Sequence, residues 1–107
     1  MSFGKINRER MAMMGIRTEH YYTCKGRQRA VFLRPDVAAV RFALEVQPGD
    51  EAVVEVSYDP VETVRKGQGL WEVFEGGLGG AVHGASALRV RIGRVDGWVK
   101  MVVARHA

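Results

Sequence analysis

The sequence predicts an all-β fold: an antiparallel β-sandwich or jelly-roll-like barrel with one short helical turn and an N-terminal arm. Three observations carry that expectation. Short stretches alternate apolar and polar residues, as in Val40-Arg41-Phe42-Ala43-Leu44-Glu45-Val46, the period of a strand with one buried face. Turn signals punctuate them at Lys25-Gly26, Pro48-Gly49 and Asp96-Gly97. Only residues 60–66 read as helical, so about six to eight short strands have no long helix to pack against.

Residues 1–15 stand apart from a single domain over residues 16–107. Gly4 and Gly15 bracket the apolar residues Ile6, Met11, Met13 and Met14, whose spacing gives only a rough helical face. Methionine adapts to irregular surfaces, which suits an arm laid across a neighbour. Phe3, Ile6, Arg8, Arg10, Met11, Met13 and Met14 are therefore the expected partner contacts. The competing expectation for a basic N-terminus is fraying.

In the domain, Tyr21-Tyr22-Thr23-Cys24 and residues 27–33 read as two strands of a short hairpin. Pro35 ends that run, because proline pushes its predecessor out of the helical region. Residues 40–46 and 52–58 form the next expected hairpin, with Pro48-Gly49 in a type II bend. Asp59 offers a helix cap, Pro60 suits the first helical position, and Gly67 or Gly69 ends the turn. An extended run over residues 70–74 follows. Residues 75–87 include five glycines and no periodicity, so they read as a flexible loop. Residues 88–92 and 98–103 form the last hairpin, about the Asp96-Gly97 signal. Tyr58, Trp71 and Trp98 are the expected large core residues.

The bulk numbers fit one soluble domain. The chain has 107 residues, 47% hydrophobic and 26% charged, enough for one modest core. No apolar run approaches the roughly 20 residues that span a bilayer, and the first ten residues lack the apolar core of a signal peptide. A lone Cys24 permits no intrachain disulfide, so packing holds the fold, and folding in a reducing cytoplasm is expected. The net charge of +4 hides a segregation. Residues 1–36 carry eight Lys or Arg against three Asp or Glu, residues 37–75 three against eight, and residues 76–107 five against one. Such blocks suit contact with one another or with copies of the chain. Nucleic acid would explain the basic ends but not the acidic middle.

Catalytic and metal chemistry are not expected. His20, Cys24, His83 and His106 are the only nitrogen and sulfur ligands, without the paired spacing of a zinc site. Cys24 has no oxyanion-hole motif or helix N-terminus beside it. Gly76-Gly77-Leu78-Gly79-Gly80 lacks the Gly-Lys-Ser/Thr ending of a phosphate loop. Glu72 and Glu75 read as solvated charges. No cofactor is implied. The rival to a structural role is nucleic-acid binding, where Arg89, Arg91, Arg27, Arg29 and Tyr22 interleave basic and aromatic groups.

One family resemblance emerges over residues 40–104. Ser57-Tyr58-Asp59, a short turn ending at Gly67, then Trp71, then Ser86-Ala87-Leu88-Arg89-Val90 resembles a β-sandwich module of small virion proteins of tailed bacteriophages. The serine and tyrosine stand in a different order from the commonest form, and Phe74 stands where a second Trp recurs. The resemblance implies a non-enzymatic structural role on a phage particle. The expected role is a head decoration or cement protein bridging capsid subunits, or else a tail, neck or fibre component. The major capsid protein or other virion proteins would be its partners, with homo-oligomer formation, no membrane, and residence in the virion after assembly in the bacterial host cytoplasm. A nucleic-acid-binding β-barrel is the alternative of a different class.

Overall fold

A computed structural model describes residues 16–34 and 39–105 of the chain. Among these described residues, nine strands build two antiparallel sheets packed face to face. They are β1 (Ile16–Tyr22), β2 (Gly26–Arg27), β3 (Val31–Phe32), β4 (Val40–Glu45), β5 (Glu51–Ser57), β6 (Glu72–Val73), β7 (Gly79–Val82), β8 (Ala87–Arg94) and β9 (Val99–Arg105). One sheet has the order β1-β9-β4-β7, the other β2-β8-β5-β6 with β3 also on β8. With β2 and β3 counted as one interrupted strand, this is the strand order of a jelly roll. No described helix is long and apolar enough to cross a membrane.

The two-residue period places one face of each long strand inside. Val40, Phe42 and Leu44 of β4 and Val99, Met101 and Val103 of β9 meet Val54 and Val56 of β5 and Leu88, Val90 and Ile92 of β8. These interior residues are aliphatic apart from Phe42 and Met101. The three large aromatics expected in the core lie outside it. Tyr58 is 51% and Trp98 38% exposed, and Trp71 packs over the outer face of the second sheet. The reason is positional: each stands at or beyond a strand end, past the alternating inward residues.

All three hairpins expected from the sequence are instead arches between the sheets. Strand β1 pairs with β9 while β2 and β3 pair with β8. Strand β4 pairs with β7 and β9, whereas β5 pairs with β6 and β8. The bend at Pro48-Gly49 is of the expected kind, with Gly49 at φ +90° and the Asp50 N–H donating to the Gln47 carbonyl at 3.0 Å. A type II bend splays its flanking strands, however, where a primed turn would hold them together. At Asp96-Gly97 no positive φ occurs, so a type I′ hairpin cannot form there either.

Helix α1 (Val61–Arg65) fills the connection between β5 and β6. Pro60 takes the capping position, not Asp59, whose Oδ2 instead accepts the Leu70 N–H at 2.6 Å and closes the base of the connection. Gly67 ends the helix as expected. At φ +76° it lets its own N–H reach the Val64 carbonyl and the Gln68 N–H reach the Thr63 carbonyl, the Schellman arrangement.

The glycine-rich stretch is also more ordered than its composition suggests. Residues 79–82 form β7 at a sheet edge, paired with β4 from Ala43↔Gly79 to Val40↔Val82. Phe74 explains the glycine there. Its ring packs edge-on against Phe42, centroids 4.7 Å apart, and comes within 2.6 Å of where a Cβ on residue 80 would stand.

Replacing Gly80 by Ala should displace the Phe74 ring and destabilise the domain by about 1–3 kcal/mol. Urea unfolding of the variant checks this, and an unchanged midpoint would show that Phe74 does not seal that edge.

Candidate partner-contact surface

Of the residues that carry the family resemblance, Leu88 and Val90 face the core, while Ser57, Trp71, Ala87 and Arg89 lie on the outer side of the second sheet. Ser57 and Ala87 are register partners, and the Ser86 N–H donates to the Ser57 carbonyl at 2.8 Å. Val64 of α1 is buried, and close approach of Gly69 to Val64 and Ser57 leaves no room there for a side chain. Next along the ladder, Glu55 lies opposite Arg89. The Arg89 Nε donates to Glu55 Oε1 at 2.7 Å, with side chains only 16% and 7% exposed. Arg91 adds a longer contact to Glu55 Oε2 at 3.7 Å. Trp71 roofs this group, the Arg89 guanidinium lying 4.1 Å from its ring centroid, within cation–π range. These residues tie β5 to β8 and cover the outer face of that ladder.

That arrangement uses up part of the basic, aromatic set singled out for nucleic acid. Arg89 is committed to Glu55 and Trp71. Arg27 lies directly opposite Arg91 on β2 and β8, an unfavourable like-charge pairing. Lys25, Arg27 and Arg29 are exposed, and no salt bridge involves them among the described residues. Together they make the β2 side of the sandwich a basic edge.

The opposite edge differs in both charge and polarity. Strand β6 borders the second sheet, and β7, continuous with it through Phe74, borders the first. Along this edge Leu70 is 79% exposed, with Tyr58 and Val73 about half exposed. Tyr58, Leu70, Glu72 and Val73 line two adjoining shallow grooves, one of which also includes Glu75. Glu72 and Glu75 are exposed, and neither has a salt bridge among the described residues. An exposed apolar patch with an acidic rim suits contact with another macromolecule. Reading Glu72 and Glu75 as ordinary solvated charges overlooked the apolar neighbours that the turn at residues 67–70 brings beside them. The available signal was the acidic block over residues 37–75 interrupted by Leu70 and Val73.

The partner contacts expected from the sequence, Phe3, Ile6, Arg8, Arg10, Met11, Met13 and Met14, lie outside the described residues. Of the metal-type ligands, Cys24 is exposed and His20 shares a 3.2 Å contact with Thr18 Oγ1 on the inner side of β1. No group of three or more His, Cys, Asp or Glu suited to a metal ion occurs among the described residues. Burial, reinforced by the Arg105 charge, holds the His20 imidazole below its ordinary value of 6.5.

Glu55→Ala would leave Arg89 buried without its partner and should cost about 3 kcal/mol in urea unfolding, whereas Glu55→Met with Arg89→Met should recover most of that loss. A double variant as unstable as the single one would deny the pair its role. The lowered His20 value means that the unfolded chain binds its proton at higher pH than the folded one. The His20 contribution to stability is therefore full above 6.5 and declines as pH falls below it. Thermal melts over that range should show a shallower decline for His20→Gln, and parallel curves would remove His20 from the pH response. Comparison of the chain with protein-family models, curated proteins and solved structures found no match.

Proposed function

We propose that the chain is a non-enzymatic structural protein of a tailed-phage particle, a head decoration or cement protein that stabilises the head by bridging capsid subunits. The observation that carries the reading is the edge at Tyr58, Leu70 and Val73, where exposed apolar side chains lie beside Glu72 and Glu75, which have no salt bridge among the described residues. Such an edge suits repeated protein–protein contacts, whose weak individual strengths multiply when many form at once. The resemblance at Ser57, Tyr58, Asp59, Gly67, Trp71 and residues 86–90 supplies the class. The jelly-roll order is compatible with it, since that fold recurs in viral capsid domains, although it also serves lectins and cupins.

Mass spectrometry of purified particles should detect this chain in many copies, and particles devoid of it would overturn the reading. A second reading, nucleic-acid binding, draws on the exposed Lys25, Arg27 and Arg29 along one edge. It requires binding to DNA or RNA that weakens steeply with salt and is lost on charge reversal at Arg27 and Arg29. Absence of salt-sensitive binding retires it.

A further inference from the structure

Sheet topology gives the sandwich two unlike sides. Strands β1 and β2 border one side, joined through residues 23–25, while β6 and β7 border the other, joined through residues 74–78. The first side bears exposed Lys25, Arg27 and Arg29. The second bears Leu70, Val73 and Tyr58 with Glu72 and Glu75. Lys25, Arg27 and Arg29 of the first charge block and Glu72 and Glu75 of the second thus stand on opposite edges of one folded body.

The chain enters this body at Ile16, the first residue of β1, on the basic side. Preceding it are fifteen residues whose composition complements the far edge. Lys5, Arg8 and Arg10 stand against a single acid, Glu9, and Ile6, Met11, Met13 and Met14 supply apolar groups. Fully extended, such a segment reaches about 50 Å, so length permits docking on its own body or on another. The edges favour another: two copies placed side by side in the same orientation set the basic side of one, with the root of its segment, against the acidic edge of the next.

We infer that residues 1–15 of one copy dock on the β6 edge of a second copy, their apolar side chains against Tyr58, Leu70 and Val73 and their basic groups against Glu72 and Glu75. The contact is head-to-tail, with different surfaces used on the two partners. Each copy keeps one free donor segment and one free acceptor edge, so the arrangement closes into rings or continues along a surface. The inference rests on the assembly reading above for its setting, but its chemistry stands on the two edges and the arm.

The test uses full-length protein. Equal amounts of unlabelled and ¹⁵N-labelled chain are mixed and treated with a carbodiimide, which joins a lysine amine directly to a neighbouring carboxylate. The expected product is Lys5 coupled to Glu72 or Glu75, with mixed-isotope peptides showing that the two ends come from different copies. Coupling found only within one isotope would overturn the intermolecular contact. Coupling of Lys5 to Glu19 or Glu45 instead would place the arm on the outer face of the β1-β9-β4-β7 sheet and overturn the assigned edge. No coupling of Lys5 at all would do the same.

Charge reversal supplies the second arm of the test. Glu72→Lys with Glu75→Lys should weaken self-association in sedimentation velocity by about tenfold or more. Mixing that variant with one carrying Arg8→Glu and Arg10→Glu should restore association between the two. Failure of the swap to restore it would overturn the pairing. Neither result bears on whether purified particles contain the protein, so a failed arm contact and a failed virion assignment are separable.

Discussion

Strands β5 and β8 meet across a long stretch of chain, and side chains close both faces of their ladder. Inside, Val54 and Val56 interleave with Leu88 and Val90, all nearly inaccessible to water. Outside, Glu55 is held to Arg89 at a sequence separation of 34 and covered by Trp71. A buried carboxylate is tolerable only with such a partner, because desolvation of an unpaired charge costs several kcal/mol. The ion pair therefore ties the register of the ladder to the placement of the residue 58–71 connection. The same connection carries α1, whose Val64 covers the end of the ladder at Ser57 and Ala87.

This constraint has a consequence for the surface. Because the residue 58–71 connection is pinned at Asp59–Leu70, at Val64 and at Trp71, its remaining residues cannot turn inward. Leu70 is presented to solvent by the same hydrogen bond that fixes its backbone. Val73 lies on a two-residue edge strand with no neighbour beyond it among the described residues. The exposed apolar edge is thus a product of how the outer face of the sheet is sealed. It lies beside Glu72 and Glu75 because they belong to the same short segment.

The fold also binds distant parts of the chain early and late in sequence. Strand β1 pairs with β9 along its whole length, and Lys100 of β9 reaches Glu19 of β1 and Glu45 of β4 at 3.9 and 3.6 Å. Nearly all sheet partners are remote in sequence, so the sandwich depends on non-local pairing, which is intrinsically slow to form. The two sides of the body are established only when these pairings are complete. Only then do Lys25, Arg27 and Arg29 stand on one edge and Glu72 and Glu75 on the other.

The alternation of residues 40–45 and 87–92, the bend at Pro48-Gly49 and the glycine stop at Gly67 determined the strand content, the inward residues and one helix end by local chemistry alone. Those features depend on side-chain period and on backbone angles that few residues adopt, so they are legible residue by residue. Tertiary structure decided the rest. Hairpins became arches because a type II bend splays strands and Asp96-Gly97 takes no primed turn. The glycine-rich stretch became β7 by pairing with β4, a partner remote in sequence, with the Phe74 ring seated where a side chain at Gly80 would stand. Tyr58, Trp71 and Trp98 left the core because they lie at strand ends, where hydrophobicity alone does not say which side is inside. The acidic apolar edge could be recognised only after β6 was placed at a border, since exposure is a property of position in the sheet and not of the residues themselves.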